Sequence, residues 1–198
     1  AAAGAVLVTP AHQYPLGPTM SAARRADLVQ WAVDTGGWII EDDYDGEFRY
    51  DRRPIGALQG LAPERVVYAG TASKTLAAGL RLAWLVVPPA LADHLDLAIG
   101  RRGGVSGVEQ AALACFLDAG DYDRQVRRAR GVYRHRRDRI VESLTREAPH
   151  LELSGVTAGL HLTARVRSRS GPSAAAMLER ARARGVALLG LSGHHTGR

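Results

Sequence analysis

The stretch from Arg65 to Pro88 limits the fold more than any other part of the chain. Val66, Val67 and Tyr68 form a short apolar run, and Leu80 to Val87 forms a second. Runs of this length, bounded by small and turn-forming residues, predict buried strands. Gly70-Thr71-Ala72-Ser73 predicts a loop leaving the carboxyl end of the first strand. In open α/β sheets ligands sit at the carboxyl ends of strands. That loop leads into Lys74, the one lysine in a chain whose other 25 Lys-or-Arg positions are arginine.

Arginine holds a phosphate or carboxylate and stays charged at any useful pH. It cannot lose its proton and attack a carbonyl, whereas a partly buried lysine can. Lys74 is therefore the candidate for amine chemistry, of which Schiff-base formation is the commonest kind. The competing reading is a surface lysine surviving by chance in an arginine- and alanine-rich chain. The surroundings favour chemistry: Thr71 and Ser73 offer hydroxyl donors, and Arg81 offers a fork suited to a phosphate. A lysine amine among phosphate ligands describes a pyridoxal phosphate site.

Ser73-Lys74-Thr75-Leu76-Ala77-Ala78-Gly79-Leu80-Arg81, with Glu41-Asp42-Asp43-Tyr44-Asp45-Gly46-Glu47-Phe48-Arg49-Tyr50 upstream, resembles fold-type-I pyridoxal-phosphate enzymes of the class I/II aminotransferase superfamily. The resemblance is closest to the aminotransferase-like domain of MocR-type regulators, which a GntR-like winged helix precedes. It covers most of the chain and is densest from Thr9 to Pro88. Ala72 stands where an aromatic residue is usual, and Ala78 where proline is frequent. The fold implied is α/β: part of a fold-type-I large domain, followed by a small α+β domain.

Length permits one domain or two. A hydrophobic share of 46% and a charged share of 23% fit an ordinary globular protein. No apolar run approaches the roughly 20 residues that cross a membrane. Ala1 to Val8 lacks the basic start and cleavage signal of a leader and reads as a buried strand. Cys115, the single cysteine, is expected at a helix core position. One cysteine builds no internal disulfide, so a cytoplasmic location is expected. A start on a strand without methionine predicts a fragment lacking the amino-terminal part of the domain. The net charge of +6 is local: eight arginines and two aspartates lie between Tyr122 and Arg139, and the rest of the chain is balanced.

Val6 to Thr9 predicts a core strand, and Pro10 to Pro18 a loop. By resemblance, His12-Gln13-Tyr14-Pro15-Leu16-Gly17 occupies the place of an Asn-Pro-x-Gly loop beneath the cofactor. Tyr14 then replaces the residue that touches the ring's 3′ oxygen. The alternative is a proline-rich connector in which His12 has no partner. Thr19 or Ser21 caps a helix running to Thr35, stopped by Gly36-Gly37, with Leu28, Trp31, Ala32 and Thr35 on its sheet-facing side. Trp38-Ile39-Ile40 predicts a strand running into Glu41-Asp42-Asp43. Carboxylates there are costly to bury without a partner; a solvated acidic turn is the alternative. Periodicity does not rank Asp42 against Asp43. The resemblance assigns Asp42 to the pyridine nitrogen and Tyr44 to the 3′ oxygen.

Asp45 to Gly60 is polar and turn-rich, anchored by Phe48 and Tyr50; the resemblance puts this region in the dimer and near the site entrance. Helices are expected over Pro88 to Gly100, broken by Gly103-Gly104, and over Val108 to Leu117. An arginine-rich helix should run from Tyr122 to about Glu147, with Val126, Tyr133, Ile140 and Leu144 inward. Its arginines fall on several faces without interleaved aromatics, which argues for a solvated linking helix over nucleic-acid contact. Leu151 to Ser154 and Leu160 to Val166 predict strands, Ser173 to Arg184 a helix ending at Gly185, and Val186 to Leu191 a last strand. Ala158-Gly159-Leu160-His161-Leu162 resembles a Gly-Gly-x-His strand of the small domain. His194-His195 lacks further ligand partners, and no metal site is expected. The domains expected are 1–100, the carboxyl-terminal part of the large domain; 101–148, linking helices; and 149–198, the small domain.

The resemblance implies an internal aldimine between Lys74 and pyridoxal 5′-phosphate. Lys74, once displaced by an incoming amine, would be the general base, with Asp42 holding the ring as an electron sink. Thr71, Ser73 and Arg81 would hold the phosphate, and Tyr14 would lie under the ring. Two functions compete: the effector-sensing domain of a MocR-type transcriptional regulator, or an active aminotransferase acting on an amino acid. A scaffold that kept the fold without the cofactor is a third. The partners implied are an amino acid or amine, a second copy in a homodimer, and DNA only through a winged helix outside this chain.

Overall fold

A computed structural model describes residues 3–50, 55–101, 104–155, 158–166 and 173–191. β1 (Ala5–Val8), β2 (Trp38–Asp43) and β3 (Val66–Thr71) run parallel in that order, and β4 (Ala83–Val86) closes the sheet antiparallel to β3. Helix α1 (Ala22–Thr35) makes the crossover from β1 to β2. The Ser21 hydroxyl accepts the Arg24 N–H at its start, and Gly36 ends it with φ +70°, a conformation that costs a residue with a Cβ about 1–2 kcal/mol.

Side chains alternate along a strand, and the register sorts this sheet into two faces. Ile39 pairs with Val6 and Val66. All three point to the side packed by Leu28, Val29, Trp31 and Ala32 of α1 and by Leu58 and Ala62. Full burial of Ile39, Leu58 and Val66 stabilises the fold by about 1.5–3 kcal/mol each. Leu7 and Ile40, in register on the opposite face, are exposed, as is Leu85.

Two long helices follow α2 (Pro89–Arg101): α3 (Gly107–Asp118) and α4 (Asp121–Glu147). A second sheet holds β5 (Leu151–Ser154) and β6 (Thr163–Val166), antiparallel, and α5 (Ala174–Arg182) comes last. Phe48, Tyr50 and Ala129 form a smaller core with Tyr133 and Leu160, so α4 packs on the loop after β2.

Several expectations need correction. The strand expected from Leu80 starts at Ala83, because Ala78–Leu80 is a turn of 3-10 helix and Arg81 is left-handed. The strand expected from Leu160 starts at Thr163, because the Leu160 N–H turns to the Asp45 carboxylate. Residues 186–190 form no strand; Val186 donates instead to the Ala181 carbonyl, and Leu188 and Leu189 are exposed. Cys115 is exposed rather than core, since α3 buries none of its residues. Ile140 is exposed too, whereas Val126 and Ala129 carry the inward stripe of α4.

The arginines of that helix are also less solvated than expected. Arg130 Nε donates to the Glu47 carbonyl at 2.7 Å, and Arg134 to the Tyr50 carbonyl at 3.2 Å. The Arg137 guanidinium lies 4.6 Å from the centre of the Tyr50 ring. Part of the positive charge thus anchors the 47–50 loop. His194 and His195 lie outside the described residues.

Candidate functional site

Because β1, β2 and β3 are parallel, their carboxyl ends share one edge, and the antiparallel β4 begins there with Ala83 opposite Thr71. Every candidate residue follows from this topology. The loop after β1 carries Tyr14; the end of β2 and the residues beyond carry Asp42 and Tyr44. The end of β3 and its loop carry Thr71, Ser73 and Lys74, and the turn into β4 carries Arg81.

Four carboxylates crowd the end of β2, and three are taken. Glu41, almost fully buried, accepts the N–H groups of Leu58 at 2.9 Å and Gln59 at 3.0 Å. Asp43 accepts the Tyr68 hydroxyl at 2.9 Å and the Gly46 N–H at 3.0 Å. Asp45 accepts from Leu160 and pairs with His12. Asp42 alone of the four has no hydrogen bond among the described residues. It shares the open face with Ile40, and its carboxyl is pushed above the usual carboxylate range by burial first, then by Asp43 and Asp45. Burial likewise raises Glu41 and Asp43 against the pull of their donors. The structure thus separates Asp42 from Asp43, which periodicity did not.

The loop after β3 is braced from both sides. The hydroxyls of Thr71 and Ser73 lie 3.0 Å apart, the Thr71 hydroxyl accepts the Ser73 N–H at 3.1 Å, and it donates to the Leu82 carbonyl at 3.1 Å. Ala72 N–H donates to that same carbonyl at 3.0 Å. These bonds flank Arg81, whose φ of +50° is the one positive value at a non-glycine among the described residues. Backbone strain of this kind collects at functional sites and persists where surrounding bonds over-determine it. Thr75 is buried, its hydroxyl 3.1 Å from the Tyr122 hydroxyl, which donates to Glu47 at 3.2 Å. Lys74, between the hydroxyl of Ser73 and the buried Thr75, is exposed, as is Arg81.

Tyr44 does not stand free. Its hydroxyl donates to the His12 carbonyl at 3.0 Å and lies 3.3 Å from His12 Nδ1. Tyr14 is 44% exposed and meets the Tyr44 and His161 rings edge-on at 6.5 and 5.4 Å between centres. His12, for which one reading left no partner, is 2% exposed and 2.8 Å from Asp45. Sequence reasoning missed the His12–Asp45–His161 grouping and the Tyr122 brace. The partners lie 33 to more than 100 residues apart, and no local spacing links them.

The residues present suit pyridoxal phosphate in two respects. Among the described residues Asp42 is an acceptor without a donor, and the hydroxyls of Thr71 and Ser73 lie in the loop that leads into Lys74, with Thr71 bonded to the residue after the left-handed Arg81. Tyr44 departs from the expectation, since its hydroxyl is engaged by His12.

Residues 2–192 match the model of the family described as aminotransferase class I and II. The uncharacterized HTH-type transcriptional regulator YhdI of Bacillus subtilis is 42% identical over 161 residues, which span 80% of this chain and 34% of that protein. The probable rhizopine catabolism regulatory protein MocR of Rhizobium meliloti is 40% identical over 81% of this chain and 33% of its own length. Among solved structures, Pyrococcus horikoshii kynurenine aminotransferase superposes with a TM-score of 0.83 at 30% identity, covering 93% of this chain and 46% of that one. The chain therefore spans about a third of the regulators and just under half of the enzyme. Its fold is that of the fold-type-I aminotransferases: part of the large α/β domain, then a small α+β unit.

Proposed function

The chain belongs to the aminotransferase class I and II family, and from that premise we propose that it is the cofactor-binding, effector-sensing part of a MocR-type transcriptional regulator. Lys74 is the amine that carries the cofactor. Bound there, pyridoxal phosphate supplies an electrophilic carbonyl and an electron-withdrawing ring. Asp42 receives the ring N–H; Thr71, Ser73 and Arg81 take the phosphate; Tyr14 and Tyr44 border the ring. Tyr44 serves the ring oxygen only by releasing the His12 carbonyl. An amino acid or amine is the effector, and Lys74 then moves its proton.

The observation that carries this reading is the isolation of Asp42. Among the described residues it is the one carboxylate of its cluster without a donor, on the same sheet edge as the chain's one lysine. The regulators YhdI and MocR favour sensing over turnover, being more similar to this chain than the enzyme is. The enzyme's close superposition supports the second reading, an active aminotransferase. The proposal includes a cytoplasmic homodimer that meets DNA through a winged helix outside these residues, and domains at 1–100, 101–148 and 149–198. No helix among the described residues is long and apolar enough to cross a membrane.

The test is borohydride reduction of the full-length protein incubated with pyridoxal phosphate, followed by peptide mass analysis. A pyridoxyl group on Lys74, absent after Lys74→Ala, supports the site, and Asp42→Asn should weaken cofactor binding at least about tenfold. A protein that takes up no cofactor, or a label elsewhere, rejects it. Steady-state transamination against sequence-specific DNA binding separates the two functions.

A further inference from the structure

The proposed chemistry leaves a buried His–Asp pair unused. His12 and Asp45 are each 2% exposed, and His12 Nδ1 lies 2.8 Å from Asp45 Oδ2. That same oxygen accepts the Leu160 N–H at 3.3 Å. One atom therefore ties together the loop after β1, the loop after β2 and the turn before β6. His161 stacks on His12 with ring centres 4.5 Å apart and a tilt of 37°. Its Nε2 donates to the Pro15 carbonyl at 3.0 Å. The turn is stitched to the large sheet's loops by backbone as well: Gly159 N–H donates to the Phe48 carbonyl at 2.8 Å, and the Tyr50 hydroxyl to the Gly159 carbonyl at 3.0 Å.

Donor and acceptor atoms of His12, Asp45 and His161 lie within 4.8 Å of one another, a spacing a metal ion uses. His12 Nδ1 is committed to Asp45 and His161 Nε2 to the Pro15 carbonyl, however, and the two rings stack instead of converging on a point. His12 Nε2 is buried without a partner among the described residues. Such an orphan costs stability, so packing alone is a poor reason for a histidine here.

The contact that gives the cluster a role is Tyr44. Its hydroxyl rests on the His12 carbonyl and lies 3.3 Å from Nδ1, which Asp45 holds at 2.8 Å. We propose that His12, Asp45 and His161 are positioning residues coupling the small sheet to Tyr44, so that filling the cofactor site and docking the 158–161 turn favour each other. The inference rests on the cofactor reading above. When Tyr44 turns away to a ligand, Nδ1 donates to Asp45 alone, the His12–Asp45 bond tightens, and the shared carboxylate is held for Leu160. Linkage makes the effect reciprocal: whatever moves the turn changes ligand affinity by the same factor.

Hydrogen exchange at the Leu160 amide of the full-length protein, with and without pyridoxal phosphate, tests this. In the wild type the cofactor should slow exchange about tenfold, an ordinary coupling. His161→Ala should abolish the slowing and weaken cofactor binding by a similar factor. His161→Gln, which keeps an N–H for the Pro15 carbonyl, should restore both. Cofactor uptake with unchanged exchange at Leu160, or slowing that survives His161→Ala, overturns the coupling while leaving the site intact. Should His161→Ala fail to fold, the wild-type pair of measurements still decides. A wild type that takes up no cofactor overturns the site and the coupling together.

Discussion

Gly159→Ala should destabilise this protein far more than Gly36→Ala, although both glycines have positive φ, +77° and +70°. The left-handed conformation alone costs an alanine about 1–2 kcal/mol at either site. At Gly36 nothing lies within 4 Å of the added Cβ, so that figure is the whole effect. At Gly159 the Cβ would overlap the His12 ring and stand 2.7 Å from Asp45 Oδ2. Neither neighbour can give way, since both are buried and bonded to each other. The glycine backbone is itself fixed by Phe48 and Tyr50. Overpacking of this kind adds about 1–3 kcal/mol, and breaking the His12–Asp45 bond adds about 1.5–3 more. A loss of about 3.5–8 kcal/mol is expected at Gly159 against about 1–2 at Gly36. Urea unfolding followed by tryptophan fluorescence measures both, with the slope checked for constancy. Equal losses at the two sites, within about 0.5 kcal/mol, would refute the tight packing of the turn on His12.

Two further outcomes are expected. Arg130→Ala and Arg134→Ala should each cost about 1–2 kcal/mol, because each removes a charged donor from a loop carbonyl; Arg128→Ala, exposed on the same helix, should stay within about 0.5 kcal/mol in the same urea assay. Burial and His12 hold the His161 pKa below the usual histidine value, so the folded state binds fewer protons than the unfolded one. Stability should therefore fall as pH drops through about 6.5, and His161→Gln should remove that slope. The raised carboxyls of Glu41, Asp42, Asp43 and Glu47 act oppositely: the folded state keeps protons there, and stability falls as pH rises through their range. The comparison of wild type with His161→Gln across about pH 5 to 8 isolates the histidine.

The two carbonyl-bound arginines show why helix reading goes only so far. Their number and spacing were plain in the sequence, but a guanidinium on a helix looks the same whether water or a loop carbonyl receives it. Cys115 and Ile140 failed for a related reason: an apolar side chain is inward only if another element covers that face. Val186 to Leu191 has the composition of a strand, yet composition does not supply the neighbouring edge that a strand must pair with.

What the sequence determined was whatever is encoded within a few residues. Ser21 and Gly36 bound a helix, apolar runs become β1, β2 and β3, and Lys74 and Asp42 sit at strand ends because the runs stop there. Tertiary structure alone decided which carboxylates are already satisfied, that Tyr44 rests on His12, and that Asp45 joins His12 to Leu160. Those bonds close over separations of 32, 33 and 115 residues. Local periodicity is blind to such distances; the partners meet only after parallel strands bring their carboxyl ends to one edge and α4 returns the chain to it.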